Sequence, residues 1–110
     1  MLDDYNDYLN ALNENQIKTH KEALKYFNVR YSSFIQNYPK ECPLPGCILA
    51  KHGFYFDSSL ETINCIECSF RYENIYEDIL TNVLLKHFKS NKFCQQARNS
   101  LKLTLNDDYN

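Results

Sequence analysis

The sequence predicts a small α+β domain held together by a structural zinc ion. Three observations carry that reading. Cys65, Cys68, His87 and Cys94 are spaced Cys-x2-Cys-x18-His-x6-Cys, which lets two thiolates from one tight turn meet a metal ion that a later His and Cys can close off. Short runs rich in Phe, Tyr, Ile and Thr read as a three-stranded antiparallel sheet. Segments with apolar residues at helical spacing surround those runs. Four protein donors leave no open position on the metal, so such a zinc holds a fold rather than activating water.

The N-terminal segment comes first in chain order. Residues 2–28 contain no Pro or Gly, and Leu2, Tyr5, Leu9 and Leu12 recur at helical intervals. Ile17, Leu24 and Phe27 extend the apolar stripe less regularly. One or two helices are expected, broken near Asn13–Asn15. They either pack on the domain or present a face to a partner or a second copy. Arg30 to Tyr38 reads as a short helix ended by Pro39. Glu41-Cys-Pro-Leu-Pro-Gly46 is a turn-rich connector. Ile48 to His52 is a helical turn or two, stopped by Gly53 at the position past the helix end.

Phe54-Tyr-Phe56 and Thr62-Ile-Asn-Cys65 read as strands joined by the polar loop Asp57–Glu61, with Phe70–Tyr72 as the third. From Asp78 onward Ile79, Leu80, Val83, Leu84, His87 and Phe88 share one helical face, so His87 looks inward. A last helix runs from Cys94 to about Leu103. The expected organisation is an N-terminal helical extension over 1–28, the zinc domain over 29–103 and a flexible tail over 104–110.

Composition narrows the function. The 110 residues suit one domain with a modest core, for which a metal staple is a useful aid. Apolar residues make up 44%, which fits a globular chain, and the formal charge of −2 gives no field toward DNA or anionic lipid. Nine Tyr and seven Phe have no basic stripe beside them, so they read as core rather than as a base-stacking surface. No apolar run approaches the about 20 residues that cross a bilayer. The acidic start, Met1-Leu-Asp-Asp, is unlike a signal peptide, and the expectation is an intracellular protein, cytoplasmic or nuclear. In that reducing setting clustered Cys and His are ligands rather than disulfides, and five Cys is an odd number. No nucleophile-base arrangement, His-Glu-x-x-His or phosphate loop is present, so no enzyme is expected. Abundant Asn, Lys, Tyr and Ile with no Trp suggest an AT-rich genome, such as that of a large DNA virus or an intracellular parasite.

The stretch Arg30, Phe34, Tyr38-Pro39, Leu49-Ala50, Gly53-Phe54-Tyr55-Phe56, Cys65-x2-Cys68 and His87-x6-Cys94 resembles the BIR domain of the inhibitor-of-apoptosis proteins. By that resemblance the four Cys and His residues match the ligands of one structural Zn²⁺. Gly53 matches the glycine before the first strand, and Arg30 a structural arginine that bonds backbone carbonyls near the zinc site. The resemblance also implies a groove for a peptide with a free N-terminal alanine, whose ammonium group an acidic side chain holds against an aromatic wall. Tyr72, Ile75, Tyr76, Glu77 and Asp78 stand in the segment that would form it. Ser69 replaces the family's usual glycine after the second Cys, and Ile75 or Tyr76 its usual tryptophan.

Several residues keep two readings. Glu77 and Asp78 fit an ammonium receptor, and they equally fit the start of the helix near Ile79 as capping acids. Cys42, Cys47 and His52 would lack a fourth donor for a second zinc, so a surface Cys42 and a core Cys47 are expected. His20 reads as a solvated helix residue. The function implied is a non-enzymatic, inhibitor-of-apoptosis-like protein, in keeping with a viral stand-alone member that meets host proteins. It would bind a protein or N-terminal peptide of the cell-death machinery, such as a caspase, a caspase antagonist or a cellular inhibitor. The alternatives are a survivin-like reader of a free N-terminal tail in chromosome segregation, and a groove-less module that homodimerises through its N-terminal helices. Neither nucleic acid nor membrane is an expected partner.

Overall fold

A computed structural model describes residues 2–13 and 18–101, with the backbone alone for 2–6. Its elements follow the order α1 (Leu2–Asn13), α2 (His20–Ala23), α3 (Phe27–Gln36), α4 (Gly46–Lys51), β1 (Phe54–Asp57), β2 (Thr62–Cys65), β3 (Arg71–Tyr72) and α5 (Leu80–Ser90). Residues 95–101 form a closing helix. The fold is α+β, a three-stranded antiparallel sheet among short helices. The strand order is β1-β2-β3, with Phe54 opposite Cys65 and Ile63 opposite Tyr72. The tail expected over 104–110 and most of the break at Asn13–Asn15 lie outside the described residues, as does the end of the last helix.

The core collects residues of α3, α4, the three strands, α5 and the closing helix. Phe27 and Phe34 of α3, Leu49 and Ala50 of α4, Phe54 and Phe56 of β1, Ile63 of β2 and Val83 and Leu84 of α5 are all buried together. Alternation along β1 puts Phe54 and Phe56 inside. All four residues of β2 are buried, because it is the central strand and is covered on both faces.

Arg30 ties three elements together. Its Nε donates to the Ala50 carbonyl at 2.8 Å, and one terminal nitrogen donates to the Leu24 and Lys25 carbonyls at 3.1 and 2.7 Å. The planar fork suits carbonyls that diverge in this way. The α3 helix begins at Phe27 rather than at Arg30, with Phe27 buried in the core and Arg30 bonded to the Leu24 and Lys25 carbonyls ahead of the helix. It ends at Gln36, before Pro39 would require it to stop.

At the close of α4, Gly53 takes a positive φ of 86°, which glycine adopts without steric cost. A Cβ there would also stand 2.6 Å from Gln96 Oε1.

The N-terminal stripe is placed differently from the sequence reading. Tyr8 meets the Tyr26 ring edge-on at 5.5 Å and Ala11 is buried, so these two make the contact. Leu9 and Leu12, both on the expected apolar face, are exposed by 37% and 41%. Ile79 also differs. It lies just before α5 rather than on its inner face, and it is 61% exposed. No helix among the described residues is long and apolar enough to cross a membrane.

Candidate metal centre

The four sequence-predicted ligands converge. One donor atom from each of Cys65, Cys68, His87 and Cys94 lies within 4.8 Å of every other. Among the described residues this is the one Cys/His/carboxylate cluster that could hold a metal ion. Cys65 closes β2, and the following turn brings Cys68 back beside it. The Glu67 N–H donates to Cys65 Sγ at 3.3 Å, a hydrogen bond that favours sulfur bearing negative charge. His87 comes from the last turn of α5, and Cys94 from the turn that leads into helix 95–101.

The spacing fits zinc. Around a tetrahedral Zn²⁺ with Zn–S near 2.3 Å and Zn–N near 2.0–2.1 Å, the donor–donor edges are about 3.5–3.8 Å. Cys65 Sγ and Cys94 Sγ are 3.7 Å apart, and Cys68 Sγ is 3.4 Å from His87 Nε2. The electrostatics agree with the geometry. Burial holds the His87 imidazole down to about 4, so it stays neutral at physiological pH, as a ligand must. Burial pushes the Cys65 thiol up to about 12 and raises Cys94 as well. Buried thiolates this close need a cation to compensate them, and a divalent metal supplies it. Three sulfurs and one imidazole are a donor set suited to a structural zinc. The ion would join β2, α5 and the closing helix without any open position for chemistry.

The His87 ring is oriented by packing. A ligating imidazole commonly donates its second nitrogen to a carboxylate or carbonyl. Here Nδ1 is buried with no hydrogen-bond partner among the described residues. The ring instead lies between Phe70, stacked at 4.8 Å, and Phe54, tilted at 4.9 Å.

Sequence reasoning missed Glu67. Its Oε2 accepts from the Gln95 N–H at 2.5 Å, which pins the Cys65–Cys68 turn to the start of the closing helix. Its place between two ligands was the available signal.

The peptide-segment residues separate. Tyr72 and Ile75 are core residues, 6% and 0% exposed, so neither offers an open wall. Tyr76 is 44% exposed, and nearby Glu61 and Glu41 add to the slight burial that raises its phenol. Glu77 is exposed, and its N–H donates to the Asn74 carbonyl at 3.4 Å.

Asp78 is heavily committed within the chain. Its Oδ1 accepts from the Ile79 N–H at 2.8 Å and from Asn82 Nδ2 at 2.9 Å, which braces the start of α5. Its Oδ2 accepts from the Tyr72 hydroxyl and from Lys86 Nζ. The Tyr72 hydrogen bond, then that of Asn82, holds the Asp78 carboxyl well below the usual carboxylate range.

The remaining cysteines do not join the metal centre. Cys42 is half-buried, within 2.8 Å of the Tyr38 hydroxyl and 2.7 Å of the Ile75 carbonyl. Cys47 is half-buried rather than fully in the core. His52 Nδ1 meets Ser100 Oγ at 2.8 Å and helps seat the closing helix.

Comparison with known proteins gives one positive finding. The family model described as BIR, the Inhibitor of Apoptosis domain, matches residues 30–98, a span that holds all four ligands. No curated protein matches the chain.

Proposed function

The chain belongs to the BIR family of inhibitor-of-apoptosis domains, and from that premise we propose that it is a non-enzymatic protein that binds a component of the cell-death machinery. BIR domains bind one structural zinc and are generally interaction modules without chemistry of their own. The protein would act by occlusion or sequestration of a caspase, a caspase antagonist or a cellular inhibitor. The observation that carries this reading is the closed Cys3His centre inside the matched span. With zinc bound it would join β2, α5 and the closing helix while leaving the metal no position for a substrate. The surface available to a partner includes Tyr76, Glu77 and Ile79, which are exposed on the connector between β3 and α5.

The test is direct binding. The zinc-loaded chain would be immobilised and offered purified caspases, caspase antagonists and cellular inhibitors in turn, with caspase activity read in parallel. Saturable binding of one of them, lost when Tyr76 and Glu77 are both changed to alanine, is the expected result. No binding across the panel would overturn the reading.

One observation favours a second reading, a dimer through the N-terminal helix. Leu9 and Leu12 point outward on α1 while Tyr8 and Ala11 hold it to the domain. Sedimentation of the chain with and without residues 1–13 tests it, since an unchanged mass removes the idea.

A further inference from the structure

The formal charge of −2 conceals an uneven distribution. Of the fourteen Asp and Glu, twelve lie in residues 1–78 and none lies between Ile79 and Asn106. Five Lys and Arg fall in that acid-free stretch, which holds α5 and the closing helix. Exposed charges act within about 8–10 Å at physiological salt, so a chain of low net charge can still present one strongly signed face.

Part of that face is apolar. The α5 helix turns Val83, Leu84 and His87 into the core, and Leu85 and Lys89, four residues apart, share its solvent side. Lys92 and Phe93 follow in the turn that leaves the helix, both exposed. Leu85 is 44% exposed and Phe93 is 91% exposed. A ring that exposed contributes little to the core. Its backbone is nevertheless held, because the Phe93 N–H donates to Asn91 Oδ1 at 3.0 Å and the next residue is the metal-centre Cys94. Among the described residues Lys89 and Lys92 have no ion-pair partner. Asp78 and Glu67 touch these two helices, and both are engaged, Asp78 with Lys86 and Glu67 with the Gln95 N–H.

A protruding apolar tip beside two such cations suits a yielding, negatively charged surface better than a shaped pocket. The lysines can reach headgroup phosphates while the ring sinks past them into the interface. We propose that Leu85, Lys89, Lys92 and Phe93 form a docking face for an anionic lipid surface, with Phe93 as the inserting group. Each cation close to such a surface is worth about five-fold in partitioning, and one inserted ring about ten-fold. The product is reversible, salt-sensitive attachment rather than a permanent anchor. The inference goes beyond the cell-death reading and does not rest on it.

The experiment sediments the full zinc-loaded chain with vesicles of phosphatidylcholine alone and of phosphatidylcholine with phosphatidylserine. Binding is expected to the second kind only, and to fall as salt rises. Lys89→Gln with Lys92→Gln should weaken it about 30-fold, and Phe93→Ser about ten-fold, with zinc and melting unaltered. The chain has no Trp, so Phe93→Trp supplies a single fluorescent reporter at the inserting position. Its emission should move to shorter wavelength when phosphatidylserine vesicles are added.

Absence of vesicle binding overturns the proposal, as does equal binding to both kinds. A vesicle-bound Phe93→Trp with unshifted emission overturns it too. Soluble polyglutamate or duplex DNA bound as tightly, with no effect of Phe93→Ser, would make the face a general polyanion site and overturn the lipid assignment. If Phe93→Ser loses its zinc, the emission of zinc-bound Phe93→Trp decides in its place. Loss of zinc in both makes Phe93 a structural residue and ends the proposal. Vesicle binding with no partner in the cell-death panel would leave this face standing and remove the functional reading. A panel partner without vesicle binding would do the opposite.

Discussion

His87 and Cys68 have most of their energetic meaning through the metal. In small zinc modules the binding energy, on the order of 10 kcal/mol, is folding energy. Cys68→Ser or His87→Ala should therefore lose zinc and lose a cooperative melt together, read by metal analysis and circular dichroism. A variant that kept both would refute the ligand set.

Gly53 acts through the backbone. A side chain there meets a positive φ and the Gln96 amide at once. Gly53→Val should cost about 1–3 kcal/mol, with partial recovery when Gln96→Ala removes the contact but leaves the φ strain. Chemical denaturation of the single and double variants measures this.

Asp78 carries a pH dependence whose sign is fixed. Its folded-state carboxyl titrates below its unfolded value near 3.9. Its contribution to stability is therefore present above that value and lost as pH falls through the folded one. Asp78→Asn should lower stability at neutral pH and flatten the acid limb of the melting profile. An unaltered acid limb would show that the carboxylate contributes little.

The elements show how a metal and a few side chains organise short pieces of structure. Helices as short as α2 and α4, four and six residues, are not stable alone. Each is held by tertiary partners, the end of α2 and the end of α4 both through Arg30. The closing helix depends similarly on the zinc turn, since Glu67 accepts from its Gln95 N–H. Glu67→Ala should cost about 0.5–2 kcal/mol, the usual worth of a side chain that caps a helix start. The loss should concentrate in amide exchange over residues 95–101, with zinc retained. Uniform protection across that helix would show that the hydrogen bond is dispensable.

Strand and helix positions around the metal were legible from periodicity, because alternation and helical spacing are properties of the chain itself. Phe54–Asp57 and the inward face of α5 at Val83, Leu84 and His87 follow that pattern, whereas Thr62–Cys65 is buried at every position. The start of α3 was not legible, because Phe27 is buried in a core shared with other elements and Arg30 is held by carbonyls outside its own helix. The outward turn of Leu9 and Leu12 escaped notice for a related reason. Spacing marks an apolar face but cannot say whether Tyr8 and Ala11, on the adjoining face, make the contact instead.

At the scale of the whole molecule, the ligand quartet and the order of helices and strands around it were determined by the sequence alone, since residue type, spacing and local periodicity are written along the chain. The tertiary structure decided what the remaining polar residues do. The sequence left Asp78 open between an ammonium receptor and a helix brace. The fold brings Tyr72, Asn82 and Lys86 to it, so it braces α5 and meets an ammonium group from its own chain. It also set His87 between Phe70 and Phe54, where an imidazole would ordinarily find a hydrogen-bond acceptor. The physical reason is the same in both cases. A charged or polar side chain takes its role from groups within about 3–5 Å, and those groups come from segments that only folding brings near.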